Sequence, residues 1–139
     1  MDAPKVVIGL LGIDQHETGA IAIASLLRDA GMEVVYAGRY NTPESLVRIG
    51  MDEDADIIGI SCHSWEYLEY VPELLAMIAT HELDAAVVLG GSVITADDAR
   101  AMRAAGVAAI FGPEDPPGRI VESLHGLVSA RRRRIAEPG

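Results

Sequence analysis

Lys5-Val-Val-Ile-Gly-Leu-Leu11, then Gly12-Ile13-Asp14-Gln15-His16-Glu17-Thr18-Gly19, then Ala20 to Ala30: this stretch decides how the chain is read. Its first part is continuously apolar, as expected of a strand covered on both faces. Its last part is helical, with Ile21, Ala24, Ser25, Leu27 and Arg28 at 3.6-residue spacing and Gly31 as the stop. A carboxylate, an imidazole two residues later and a glycine three further on therefore sit in a strand-to-helix loop. In an open parallel sheet such a loop lies at the carboxyl end of a strand, where these folds bind ligands. An imidazole there can ligate a metal, and a nearby carboxylate can take its other N–H and fix its orientation.

The same alternation continues down the chain. Glu33 to Tyr36 reads as a short second strand. Thr42-Pro43-Glu44 opens a helix: the threonine caps free N–H groups, the proline suits the first position, and the glutamate suits the positive end of the dipole. Leu46, Ile49 and Gly50 form its inner side. Ala55 to Ser61 is a third strand, and Cys62-His63-Ser64-Trp65 follows at the same sheet edge as Asp14 to Thr18. A helix from about Glu66 to Glu82 is interrupted by Pro72. Ala85 to Leu89 is the fourth strand, Gly90-Gly91-Ser92 turns away from it, and Thr95 caps a helix with Ala101, Met102 and Ala105 inward. Val107 to Phe111 is the fifth strand. Pro116-Pro117 opens the last helix, with Ile120, Leu124, Leu127 and Val128 inward, and Arg131 to Gly139 reads as a polar, frayed tail.

Five strands alternating with five helices predict an α/β fold, a doubly wound parallel sheet of flavodoxin-like, Rossmann-like order 2-1-3-4-5. The first and third strands then meet at the switch point, which places the loops Gly12 to Thr18 and Cys62 to Trp65 side by side. At 139 residues the reading is one domain spanning 1–139, with a core of about 4–128 and a tail of 129–139. The formal charge of −10 argues against nucleic acid and anionic membrane as partners. A single cysteine excludes an internal disulfide and fits a reducing, cytoplasmic setting. The N-terminus has no signal-peptide pattern, and no apolar stretch approaches a membrane span.

Asp14-x-His16-x-x-Gly19 after the first strand, with Gly59-Ile-Ser61 closing the third, Gly90-Gly91 following the fourth and Ala105 to Pro113 near the end, resembles the cobalamin-binding domains of adenosylcobalamin-dependent mutases and corrinoid methyl-transfer proteins. The resemblance covers about residues 4 to 128. It implies a cobalamin-binding small subunit of a carbon-skeleton mutase of the acyl-CoA class, like methylmalonyl-CoA or 2-hydroxyisobutyryl-CoA mutase, with adenosylcobalamin as cofactor. His16 would be the lower cobalt ligand, displacing the cofactor's own dimethylbenzimidazole base, with Asp14 behind its other ring nitrogen. Ser61 would donate to the displaced base, and Gly19, Gly90 and Gly91 would make room for the nucleotide tail. Gln15, Glu17, Thr18, His63, Phe111 and Gly112 complete the implied cofactor contacts. A large TIM-barrel subunit would take the substrate, house the adenosyl group and start the radical rearrangement. No catalytic residue is then expected on this chain alone, and Trp65 and Tyr67 are the aromatic residues expected at the subunit interface.

The chain departs from the resemblance at His63, where the family has leucine; at Leu10, where acyl-CoA mutases carry lysine; and at Glu114-Asp115, where Gly-Thr is frequent. The Asp14 loop is nearer to glutamate mutase's small subunit, which stands as one alternative. Another is a corrinoid carrier for methyl transfer, which usually has a helical bundle ahead of this domain. A receiver domain needs an aspartate where Ser61 stands, and a flavodoxin needs a Ser/Thr-rich first loop. A zinc site from Asp14, His16, Cys62 and His63 is a further reading. Cys62 is otherwise a small buried hydrophobe, and Arg131 to Arg134 suit the negative end of a helix in solvent.

Overall fold

Each predicted apolar run forms a strand in the computed structural model, which describes residues 2–137. The elements are β1 (Lys5–Leu11), α1 (Glu17–Asp29), β2 (Glu33–Asn41), α2 (Pro43–Asp52), β3 (Ile57–Ser61), α3 (Tyr67–Thr80), β4 (Ala86–Gly90), α4 (Ala96–Ala105), β5 (Ala109–Phe111) and α5 (Pro117–Ala136). The sheet order is β2-β1-β3-β4-β5 and every pairing is parallel. This is the flavodoxin-like α/β topology that the alternation predicts. β1 has β2 on one side and β3 on the other, so the chain reverses direction across the sheet there, and the crevice opens above β1 and β3.

The central strands carry apolar residues on both faces, so two cores form. Val7, Ile58, Val87 and Leu89 pack with Leu46, Val71, Leu74 and Met102 of α2, α3 and α4. Val6, Ile8, Ile57 and Val88 pack on the other side with Ala20 and Leu27 of α1 and Ile120, Leu124 and Val128 of α5. Several inward positions differ from the predicted ones. Ile21 is exposed while Ala20 is buried, and in α4 only Met102 is buried among the described residues. Thr42 caps α2 as expected, its hydroxyl accepting from Ser45 N–H at 3.0 Å while Ser45 Oγ accepts from Thr42 N–H. Thr95 caps α4 through Asp98 N–H at 3.1 Å.

Three boundaries are corrected. β2 continues past Tyr36 to Asn41, through register shifts opposite Ile8, Gly9 and Leu11. Gly38 and Tyr40 take positive φ there, and the buried Asn41 amide donates to the carbonyls of Leu10 at 3.2 Å and Gly38 at 2.9 Å. A side-chain amide thus replaces regular ladder bonds, which no alternation pattern reveals. α3 runs through Pro72 unbroken, held by the buried stripe Tyr67, Val71, Leu74 and Ile78; one missing N–H is outweighed by that packing. The segment read as a frayed tail is helical to Ala136. Arg131 is 7% exposed and pairs with the buried Asp56 at 2.7 Å and with Asp54 at 3.0 Å. Arg132 reaches Asp56 at 3.0 Å and the Asp2 carbonyl at 2.6 Å. A solvated reading of these two arginines is therefore wrong: they pin α5 to the amino-terminal edge of the sheet. Residues 138 and 139 of the predicted tail lie outside the described residues.

Candidate functional site

Both loops above β1 and β3 converge on one carboxylate. Asp14 is 3% exposed. Its Oδ1 accepts from His16 N–H at 3.1 Å and lies 2.9 Å from His16 Nδ1, and its Oδ2 accepts from His63 N–H at 2.9 Å. Burial, the largest single influence, works against the charged form. The N–H of His63, the His16 ring and the N–H of His16 together outweigh it and hold the carboxyl below the usual range. An ionised carboxylate only accepts, so His16 Nδ1 must carry a proton. In the neutral ring Nε2 then has the lone pair. The His16 side chain is 68% exposed, so that lone pair is available to a ligand outside. Such a nitrogen suits a transition metal, and the carboxylate behind it fixes the tautomer and the ring orientation.

Beside this pair lies a slot of about 410 Å³ between the sheet and helices α1 and α5. That is the size of a small-molecule pocket. Its walls are mainly aliphatic: Ile8, Ile23, Leu27, Val88, Ile120 and Leu124. Gly19, Ser61, His63, Gly90, Gly91, Phe111 and Gly112, all predicted site residues, line it as well. An apolar group could be held in such a space, with polar contact available at Ser61 and His63.

The two glycines at the end of β4 differ in what they do. A Cβ on Gly91 would stand 1.8 Å from the carbonyl oxygen of Cys62, and its φ is +148°. Only glycine allows the β4 end to pass that carbonyl. A Cβ on Gly90 would meet nothing closer than 3.8 Å. Cys62 N–H donates to Gly90 O at 2.7 Å and Gly91 N–H to Phe111 O at 3.2 Å, so these glycines tie three strand ends together.

The remaining predicted residues divide. Gln15 is exposed on the loop and Thr18 is exposed in the first turn of α1. Glu17 turns toward β2, accepting from Tyr36 Oη at 2.6 Å and pairing with Arg39 at 2.8 Å. Burial and then the Glu17 carboxylate push the Tyr36 phenol up to about 12. His16 does not line the slot, but its ring centroid is 5.9 Å from that of His63, which does. Among the described residues no three His, Cys, Asp or Glu side chains are grouped to hold a metal ion, so the four-residue zinc reading is not assembled. Cys62 is buried, its thiol raised by burial and by Asp14, and is no nucleophile. Of the aromatic pair, Trp65 is 57% exposed but Tyr67 is buried against α4, 3.4 Å from Asp98, so only Trp65 is free to meet a partner. The loops Gly90 to Ile94 and Gly112 to Asp115, expected from the sequence to wall the site, contribute Ser92 and Pro113, whereas Ile23 was not foreseen and could have been found from the α1 stripe.

Among the described residues no helix is long and apolar enough to cross a membrane. Two solved structures share the fold and show the fold alone. A cobalamin-binding protein from Desulfitobacterium hafniense superposes with a TM-score of 0.71 at 18% identity, over 94% of this chain and 58% of that one. A signal receiver domain from Vibrio parahaemolyticus superposes at 0.76 with 12% identity over 99% of both. Sequence relatives are more specific. The small subunit of 2-hydroxyisobutanoyl-CoA mutase from Aquincola tertiaricarbonis is 35% identical over 94% of this chain and 96% of its own length. The pivalyl-CoA mutase small subunit of Xanthobacter autotrophicus is 34% identical over 88% of this chain and 82% of its own length. Ethylmalonyl-CoA mutase from Cereibacter sphaeroides is 39% identical over 89% of this chain, which spans 19% of that larger protein. The model of the B12 binding domain matches residues 4–121. The chain belongs to the B12 binding domain family.

Proposed function

We propose that this chain is the cobalamin-binding small subunit of an adenosylcobalamin-dependent acyl-CoA mutase, an isomerase completed by a separate large subunit. The observation that carries the reading is the Asp14–His16 pair, 2.9 Å apart, with the imidazole largely in solvent beside an apolar slot. These residues fit a corrinoid whose own base has left the cobalt: His16 Nε2 would hold the metal, and the slot would hold the base. When bound, the cofactor supplies a weak cobalt–carbon bond and hence radical rearrangement chemistry. Everything else asked of this chain is binding. Asp14 holds the His16 tautomer, Ser61 and His63 present polar atoms to the base, and Gly91 lets the end of β4 pass close to the Cys62 carbonyl at the slot wall. The names of the relatives that match along most of their length favour the acyl-CoA class over glutamate mutase. Exposed Ile13 and Trp65 stand on the loops around His16, where a large subunit would close over the open edge.

The test is electron paramagnetic resonance of the cob(II)alamin complex, made with protein carrying nitrogen-15 histidine. Coupling from a single protein nitrogen-15, absent in His16→Ala, is the expected result. Coupling from dimethylbenzimidazole nitrogen alone overturns this mode of binding.

A further inference from the structure

His63 stands where the resembling family has leucine, and the structure gives it a defined place. Its N–H is held by Asp14 Oδ2 at 2.9 Å, so the loop cannot turn the residue away from the slot. Its ring lies over Gly19: a Cβ there would be 3.2 Å from Nε2 and 3.3 Å from Cε1. A side chain at Gly19 would press on the ring and push it by a few tenths of an ångström. On its other side Nε2 lies 2.7 Å from Ser61 Oγ. Ser61 and His63 form a linked polar pair in a slot whose other walls are largely aliphatic.

A serine hydroxyl rotates freely and can donate or accept. A hydroxyl that accepts from an imidazole N–H has its own proton left for a third partner. Among the described residues the hydrogen bond recorded for Ser61 Oγ is the one to His63 Nε2, which leaves that proton for the occupant. We propose that His63, with its ring proton on Nε2, is a positioning residue that sets the Ser61 hydroxyl as a donor into the slot, and that the slot thereby selects a flat heteroaromatic ring with an unprotonated nitrogen. Leucine at this position would supply bulk without that direction. The inference rests on the proposed base-off binding, in which the displaced base offers such a nitrogen.

The experiment titrates the full chain with adenosylcobalamin and with adenosylcobinamide, which has the same corrin and upper ligand but no nucleotide tail. Fluorescence of Trp65, the chain's single tryptophan, is the readout. Wild type binds adenosylcobalamin more tightly. His63→Leu loses roughly fivefold for adenosylcobalamin, in the range of one net hydrogen bond, and nothing for adenosylcobinamide. His63→Gln, whose amide can donate from a similar place, recovers most of the loss. Ser61→Ala loses a comparable amount, and Ser61→Ala/His63→Leu loses no more than either alone, because His63 acts through Ser61. An equal loss for both corrinoids, an undiminished preference for the tail in His63→Leu, or additive losses in the double variant each overturn the proposal. If wild type itself does not prefer the tailed corrinoid, base-off binding fails and this proposal falls with it. A wild-type preference that is undiminished in His63→Leu overturns the role of His63 alone.

Discussion

Asp14→Asn should cost ligand affinity much more than stability, because of what an amide does to a tautomer. The carboxylate accepts from His63 N–H, His16 N–H and His16 Nδ1–H, all at 2.9–3.1 Å. An asparagine keeps one accepting oxygen, and its amide nitrogen must face one loop or the other. Facing His16, it donates to Nδ1, the ring proton moves to Nε2, and the lone pair that a metal would use is gone. Restoring it means giving up a hydrogen bond of the charged-group class, about 1.5–3 kcal/mol, hence about one to two orders of magnitude in corrinoid affinity. Apo stability should fall by only about 1 kcal/mol, roughly 3–4 °C in Tm for a chain of this size. His16→Ala should leave the apo melt unchanged, because the side chain is largely in solvent. Nitrogen-15 shifts of the His16 ring report the tautomer, and corrinoid titration reports affinity. Affinity within about twofold of wild type, or an unaltered tautomer, would refute the reasoning; an apo melt lowered as much in His16→Ala as in Asp14→Asn would make His16 a structural residue.

Gly91→Ala should cost about 3 kcal/mol or more, since the new methyl meets the Cys62 carbonyl, whereas Gly90→Ala should cost under about 1 kcal/mol; equal losses in urea unfolding would contradict the close approach. Asp56→Ala removes the partner of buried Arg131 and should cost about 3 kcal/mol with corrinoid affinity unchanged; a loss below about 1 kcal/mol would mean that the pair is screened by water. Asp14 and Asp56 both titrate below the ordinary carboxylate value in the folded state, against burial as the largest opposing influence. The unfolded chain therefore binds more protons as pH drops. Their stabilisation is full above an unfolded pKa of about 3.9 and lost as pH falls through the folded values; thermal melts that rise on acidification below about pH 4 would reverse that sign. Acyl-CoA rearrangement should appear only on mixing with a large mutase subunit, and turnover by this chain alone would exclude the proposed division of labour.

The sheet was legible because its strands are apolar on both faces, and Val6 to Leu11 can be read without knowing anything distant. The switch-point loops followed from topology alone. What escaped the sequence is contact across long separations. Arg131 looked like a helix end in water because its partner Asp56 is 75 residues away. Asp14 looked like the partner of His16 only, yet it also holds His63 across 49 residues. Glu17 looked like a ligand contact alone, yet it also answers Tyr36 and Arg39, whose strand bulges where periodicity fails. Trp65 and Tyr67 are two residues apart and similar in kind, but the turn before α3 leaves one in solvent and the first helical position puts the other into the core. Local pattern says which residues are apolar; it does not say which direction a helix start will face.

The arginine anchor at the foot of α5 has a practical side. Twenty residues of helix separate Pro117, near the slot, from Ala136, a rise of about 30 Å. Anything tethered beyond Ala136 therefore emerges at the far end of the molecule from His16. A sensor surface or a fluorescent fusion attached there would hold the protein with its corrinoid face outward, leaving that face accessible to cofactor and to a large subunit in the same measurement. The tether must spare Arg131 and Arg132, since the helix that carries it is also a wall of the slot.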